Sequence, residues 1–130
     1  MALEHIQPDG LTRPTQYSHV VKAMGTIVFF AGQVPRDGEG NIVGVGDFEA
    51  QARQVYSNLR TVLASVGAGF EQVATTTTYV VGMTPEHRAA LSAVRTEFEP
   101  EPRPADALIG VAALADPNYL LEVQAIAVID

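Results

Sequence analysis

Residues 103–128 read RPADALIGVAALADPNYLLEVQAIAV, and this stretch decides the fold. Two apolar runs, residues 107–114 and 120–128, predict a pair of strands joined by a turn. Asp106 stands at the start of the first run, and Glu122 lies inside the second. Because a carboxylate in an apolar strand is unfavourable unless it is exposed or partnered, these two residues are the first candidates for a functional site.

Three segments upstream predict further strands. Residues 16–23 alternate weakly between polar and apolar side chains, and residues 26–31 (TIVFFA) form a continuous apolar run typical of a strand buried on both faces. Residues 73–81 (VATTTTYVV) are rich in β-branched side chains, which favour strands. The glycine-rich residues 35–46 predict a turn-rich connection.

Two helices are predicted between these strands. Asp47 and Thr84 are suitable N-cap residues, Pro85 favours a first helical position, and Gly67 favours a left-handed stop. Apolar residues recur at helical spacing in both segments, and the EPEPRP cluster at residues 99–104 ends the second helix. The two apolar stripes consist of Phe48, Ala52, Val55, Leu59, Val62 and Val66, and of Leu91, Val94 and Phe98.

The predicted order is β-β-α-β-α-β-β, which is typical of an α+β layer with a mixed sheet. Two helices cover only one face of such a sheet. Residues 26–31 and 107–113 are too apolar to face water, so the other face needs a partner. The pattern therefore predicts an oligomer.

Composition limits the class of protein. With 130 residues, 47% of them hydrophobic and 18% charged, residues 1–130 are expected to form one globular domain. The net charge of −7 and the scattered Lys and Arg residues argue against nucleic-acid binding. No cysteine is present, which excludes thiolate catalysis and fits a cytoplasmic protein. The three histidines lack metal-ligand spacing, and no signal peptide or membrane span is predicted.

Several segments together resemble the Rid/YjgF family of reactive-intermediate (enamine and imine) deaminases, also described as RidA-like. The resemblance covers nearly the whole chain. The matching segments are Pro104-Ala105, Gly110 to Ala112, Leu114, Glu122, Ala125 to Ala127, the Ala-Gly-Gln-Val-Pro run at residues 31–35, the Gln-Ala-Arg-Gln run at residues 51–54, and the strand at residues 73–79. The resemblance implies a chorismate-mutase-like protomer that forms a homotrimer, with ligand clefts between subunits and no metal or organic cofactor.

The resemblance also implies roles for particular residues. Glu122 matches a glutamate that orients or activates the water attacking a C=N carbon, and Asp106 stands where the family carries an arginine that binds the substrate carboxylate. The candidate substrate-binding positions are Tyr17, Ala31, Gly32, Leu108 and Arg103, the last because it lies three residues before Asp106. A carboxylate beside Asp106 would meet about 1 to 4 kcal/mol of repulsion, which predicts a neutral or cationic small-molecule ligand instead of an ordinary 2-imino acid.

Alternatives remain open at this stage. If Asp106 and Glu122 share one cleft, one of the two pKa values would rise and supply a proton donor beside a base. Asp106 is also compatible with an ordinary turn residue, and Glu122 with a strand residue that faces solvent. Arg103 could replace the guanidinium absent at position 106, or it could be a solvated loop side chain. For function, the enzymatic interpretation competes with a non-catalytic metabolite-binding or regulatory trimer. A ribonuclease or translation inhibitor is less favoured because of the net charge.

Overall fold

The structure, a computed structural model, describes residues 2–130 and combines α-helices with a mixed β-sheet. In chain order, the elements of this range are β1 Leu3–Ile6, β2 Val20–Ala23, β3 Thr26–Phe29, α1 Phe48–Ala64, a 3₁₀ turn Phe70–Gln72, β4 Val73–Val81, α2 Pro85–Phe98, β5 Ala105–Val111 and β6 Leu121–Ile129. The main sheet has the order β3-β6-β4-β5, and β1 pairs with β2 in a separate ribbon.

The strands of the main sheet set which residues face each other. β6 runs antiparallel to both β3 and β4, whereas β4 and β5 are parallel and joined through α2. Thr76 of β4 lies opposite Asp106 of β5, and Tyr79 of β4 lies opposite Glu122 of β6. Alternation along β4 therefore places these two pairs on opposite faces of the sheet.

One face of the sheet packs against both helices. Its core joins the apolar stripe of α1 to alternate residues of β6, including Val55, Leu59, Leu121 and Val123, each at most 1% exposed. The other face, called here the open face, presents Ile27 and Phe29 of β3 and Ile109 of β5. Burial of one face and exposure of the other is what two helices on a single layer produce.

The predicted helix signals are confirmed. The Asp47 side chain accepts a hydrogen bond from the backbone N–H of Ala50, and Thr84 accepts one from His87. Pro85 occupies the first position of α2, and Gly67 adopts a left-handed φ of +71° beyond α1. Val66, predicted on the apolar stripe, lies beyond the end of α1 and is exposed.

Two strand predictions need correction. The ribbon strand β1 was not predicted, and the strand expected over residues 16–23 begins only at Val20 because the preceding residues bond outside a ladder, as Ser18 does to Pro104. The segment expected to be buried on both faces, residues 26–31, is an edge strand from Thr26 to Phe29. Its outward side chains Ile27 and Phe29 are exposed in the single chain.

Candidate functional site

Asp106 is buried in a network of polar side chains between the sheet and α2. Its Oδ1 atom accepts hydrogen bonds from the hydroxyls of Thr76 at 2.7 Å and Thr78 at 3.0 Å. Its Oδ2 atom lies 3.1 Å from Nη2 of Arg95, and the side chains of this ion pair are each only 5% exposed. The carboxylate is therefore satisfied inside the chain, which corrects the expectation that it faces the ligand as a free negative charge.

Arg95 projects from the inner face of α2 into this network. Its Nε atom donates to the Tyr56 hydroxyl at 3.0 Å, and Nη2 donates to Thr78 at 2.8 Å. Burial lowers the pKa of the Arg95 guanidinium, but its neighbours Tyr56 and Asp106 outweigh burial and raise the pKa overall. Arg95 therefore stays charged, and it removes the repulsion of carboxylates that was expected from Asp106 alone.

A cleft of about 680 Å³ opens beside this network. It lies between α2, the start of β5 and the segment at residues 14–17. The lining side chains include Thr15, Gln16, Tyr17, Arg88, Leu91, Ser92, Arg95, Asp106 and Leu108. Two arginines face one carboxylate in this set, so the charged groups of the cleft sum to +1. A local positive charge in a chain of net charge −7 favours a small anionic or acceptor-bearing ligand.

Glu122 lies outside this cleft, on the open face of the sheet. It is half-buried, and a Cβ atom placed on Gly32 would collide with its carboxylate. Glu122 forms no ion pair within residues 2–130. Within one chain Asp106 and Glu122 do not share a cleft, because the two side chains leave the sheet in opposite directions. Their pairing in a cleft between subunits stays a prediction.

The remaining predicted positions divide between the two regions. Tyr17 and Leu108 line the cleft, whereas Gly32 lies beside Glu122 and its neighbour Ala31 is exposed. Arg103 is only 6% exposed, so its interpretation as a solvated loop residue is wrong. Its guanidinium donates to Gln16 at 3.3 Å and to Thr96 at 3.4 Å. It lines a neighbouring groove instead of the cleft, so within one chain it does not act as the substitute guanidinium that was its other predicted role.

A third acidic group lies behind the network. Glu99, just after α2, is 5% exposed. Burial raises the pKa of its carboxyl to about 7, although the charges of Arg95 and Arg103 oppose the rise.

Within residues 2–130, no group of three or more His, Cys, Asp or Glu side chains is placed to hold a metal ion.

Sequence reasoning missed Arg95, although a signal was present. Arg95 follows Leu91 by four residues and Val94 by one, so it lies at the edge of the apolar stripe of α2. A charged residue on a buried helical face needs a partner of opposite charge. The first acidic residue of a neighbouring strand, Asp106, was the available candidate.

Comparisons with known proteins give one consistent result. The family model described as Endoribonuclease L-PSP matches residues 10–129. Among curated proteins, a RutC family protein of Pyrococcus abyssi and the 3-aminoacrylate deaminase RutC of Acinetobacter baylyi are each 31% identical over 128 residues, covering 98% of this chain and 98% of the relative. A solved structure of a protein of unknown function of the conserved Rid family, YyfB from Yersinia pestis, superposes with a TM-score of 0.89 at 34% identity. That match covers 99% of this chain and 100% of the other.

No helix within residues 2–130 meets the length and hydropathy that crossing a membrane requires.

Proposed function

Since this chain belongs to the Endoribonuclease L-PSP (Rid/YjgF) family, we propose that it hydrolyses the C=N bond of a small reactive imine, or of the imine tautomer of an enamine. The observation that carries the proposal is the Glu122 carboxylate, which lies against Gly32 on an uncovered face without an ion-pair partner in the described chain. A carboxylate in this state is free to bind water. The deaminase name of one relative gives the reaction class.

The chemistry follows from the groups available. Glu122 accepts a proton from a bound water as the water oxygen adds to the imine carbon. The proton held by Glu122 passes to the nitrogen and gives a carbinolamine. The hydroxyl proton of the carbinolamine then moves to the nitrogen as the C–N bond breaks, so ammonia leaves and the C=O bond forms. Imine and water become carbonyl compound and ammonia, so the balance requires no oxidant, metal or organic cofactor.

The open face supports assembly of several copies. Ile27 is 57% exposed and Phe29 is 73% exposed on one edge strand, and Ile109 is 39% exposed on the other, and large apolar side chains on one face favour its burial against a partner. We propose a homotrimer in which this surface is covered. Because Glu122 and the cleft lie on opposite faces of one sheet, a site that uses both takes Glu122 from one subunit and the cleft from its neighbour.

The substrate range differs from the one expected from sequence. The prediction that ordinary 2-imino acids bind poorly depended on a free Asp106, and Arg95 neutralises that charge. Small imines and enamines that carry a carboxylate therefore join the neutral imines and carbonyl compounds as candidates. The enamine named for the Acinetobacter baylyi relative, 3-aminoacrylate, carries such a carboxylate. A cytoplasmic location, expected from the cysteine-free sequence, belongs to the same proposal.

The test is ammonia release from freshly generated 2-iminopropanoate and from 3-aminoacrylate. We expect the purified protein to accelerate hydrolysis of at least one of them, and Glu122→Gln to lower turnover by at least about 100-fold, as loss of a general base does. Gln124→Glu provides a control that places a carboxylate elsewhere on the same strand. Full activity of Glu122→Gln, with the protein free of contaminating deaminase, would contradict the proposal.

The same purified protein and variants distinguish two alternative functions. Saturable binding of a metabolite without turnover over a panel of imines and amines would favour a non-catalytic binding protein. The family description names an endoribonuclease, but a net charge of −7 opposes binding to a phosphate backbone. Cleavage of RNA by highly purified protein, abolished by Glu122→Gln, would establish that activity instead.

A further inference from the structure

We propose that Arg95 is the specificity-determining residue of the cleft, and that its Nη1 atom binds one oxygen of a ligand carboxylate. Asp106 acts as a positioning residue that fixes the guanidinium. This inference depends on the proposed function for the identity of the reaction, but it concerns the recognition step alone. It assigns to α2 a role that the family resemblance implies for position 106 on β5.

The guanidinium is held on every side except one. Nε is bound to Tyr56, and Nη2 is bound to both Thr78 and Asp106. Nη1 has no hydrogen-bond partner within residues 2–130. Two side-chain atoms of that range lack a partner and are fully enclosed, His87 Nδ1 and Arg103 Nε. Nη1 of Arg95 is not one of them, so it is not fully enclosed. Because Arg95 is 4% exposed and lines the cleft, the unsatisfied nitrogen is the part of it that meets a ligand.

The surroundings favour an anion at this point. Arg88 precedes Arg95 by seven residues, two helical turns, and therefore lies on the same side of α2. It lines the cleft, is exposed, and has no ion pair within residues 2–130. Tyr17 and Ser92, which carry hydroxyl groups, line the same cleft from different segments. One positive charge thus remains after Asp106 is counted against the two arginines.

The geometry also limits how the carboxylate is held. A free arginine grips a carboxylate with two parallel N–H donors. Here Nη2 is committed inside the chain, so Arg95 offers a single-point contact through Nη1. Lysine does not replace this arrangement, because an ammonium group lacks the planar set of donors that reaches Tyr56, Thr78 and the cleft together.

The experiment compares two unreactive probes of the same shape, butanoate and butanamide, in calorimetric or NMR titrations. The variants are Arg95→Lys and the double variant Arg95→Met/Asp106→Leu, which removes both charges together and so leaves neither buried alone. Asp106→Asn tests positioning, because an amide still accepts from Thr76 and Thr78 but no longer fixes the guanidinium by charge. Arg60→Gln is the control, since Arg60 is an exposed arginine of α1 that contacts the Phe98 ring and not the cleft.

We expect the native protein and Arg60→Gln to bind butanoate at least about 10-fold more tightly than butanamide, as loss of one charge-assisted hydrogen bond implies. The ratio should fall several-fold in Arg95→Lys and in the double variant, because both keep the net cleft charge of +1 and lose only the contact through Nη1. It should fall less in Asp106→Asn, where the guanidinium remains but its positioning partner is lost. Equal binding of both probes by the native protein, no binding of either, or an undiminished preference in a folded Arg95→Lys protein would overturn the inference. If the protein hydrolyses imines but shows no carboxylate preference, the role of Arg95 is refuted and the proposed function stands. If it prefers the carboxylate probe but hydrolyses no imine, the role of Arg95 stands and the proposed function is refuted.

Discussion

Each face of the main sheet carries a carboxylate, and the two carboxylates differ in burial and in their bonding partners. On the helix side, Asp106 accepts hydrogen bonds from Thr76 and Thr78 and pairs with Arg95, with almost no exposure. On the open face, Glu122 is half-buried beside Gly32 and forms no ion pair within residues 2–130. Both residues lie in apolar strands and look equally unusual in the sequence.

The difference shows that the partners of a charge, and not its presence in a strand, determine what it does. A carboxylate whose oxygens are satisfied inside the chain is suited to holding another group in place. A carboxylate without such partners keeps its capacity to bind water or a ligand. We therefore propose positioning for the helix side and chemistry for the open face, and substitutions on each face test this difference.

The largest expected effect is on stability and belongs to the helix side. Arg95→Ala leaves the Asp106 carboxylate buried without its counter-charge, which should lower the free energy of unfolding by about 3 to 5 kcal/mol. Glu122→Ala on the open face should change it by no more than about 0.5 to 1 kcal/mol. Urea unfolding of both variants at the same protein concentration measures the contrast. Equal losses in the two variants would show that the faces do not differ as we propose.

A second, pH-dependent effect concerns Glu99 behind the network. Burial raises the pKa of this carboxyl from 4.5 to about 7, so the folded chain holds its proton more tightly than the unfolded chain does. The stability that this provides is complete below pH 4.5 and is lost as the pH rises through 7. Glu99→Gln keeps the neutral shape, so it should be more stable than the native chain at pH 8, by at most about 3 kcal/mol.

The control for this effect is Glu97, two residues earlier and exposed. Its pKa is lowered, first by the hydrogen bond from Arg53, which is the opposite shift. Glu97→Gln should therefore give no gain at pH 8. Thermal unfolding between pH 4 and pH 8 distinguishes the two variants, because only Glu99→Gln should flatten the profile. A profile for Glu99→Gln that parallels the native one would remove Glu99 from this account.

A third effect tests whether the open face is covered by other copies. Phe29 is 73% exposed in the single chain, and burying such a side chain contributes about 1.5 to 3 kcal/mol. Phe29→Ser should weaken self-association by roughly 10- to 100-fold. Sedimentation velocity over a range of concentrations measures it, with Val66→Ser beyond α1 as a control that should leave assembly unchanged. A native protein that stays monomeric at high concentration would count against the trimer.

Much of the fold was predictable from the sequence because local signals agree with the final packing. Asp47, Thr84 and Gly67 mark helix ends by their own backbone chemistry, and the strand at residues 73–81 was predicted with its final bounds. The ribbon strand β1 was not predictable in this way. Its four residues pair with β2, about 17 positions away, and carry no strong period of their own.

The site was less predictable, because its properties depend on contacts between distant segments. Asp106 and Glu122 were both identified as candidates, but only the register of β4 with its neighbours shows that they point to opposite faces. The effect of Asp106 was predicted without Arg95, which lies 11 residues earlier on α2 and reaches Asp106 only once β5 packs against that helix. The effect of a charged motif residue can therefore be interpreted only when the residues that contact it in the fold are known.

The smallest expected change in stability gives the sharpest test of the open face. Gly32→Ala places a methyl group where the Glu122 carboxylate lies, and the flexible end of that side chain must rotate away. Since rotation is inexpensive, the free energy of unfolding should fall by less than about 1 kcal/mol. The carboxylate is nevertheless displaced, so turnover of the responsive imine should fall by at least about 100-fold, as in Glu122→Gln. Gly38→Ala, where an added Cβ atom meets nothing within 4 Å, is the matched control and should retain full turnover. If Gly32→Ala also retains it, the position of Glu122 beside Gly32 has no part in the reaction, and the catalytic group must be sought on the helix side.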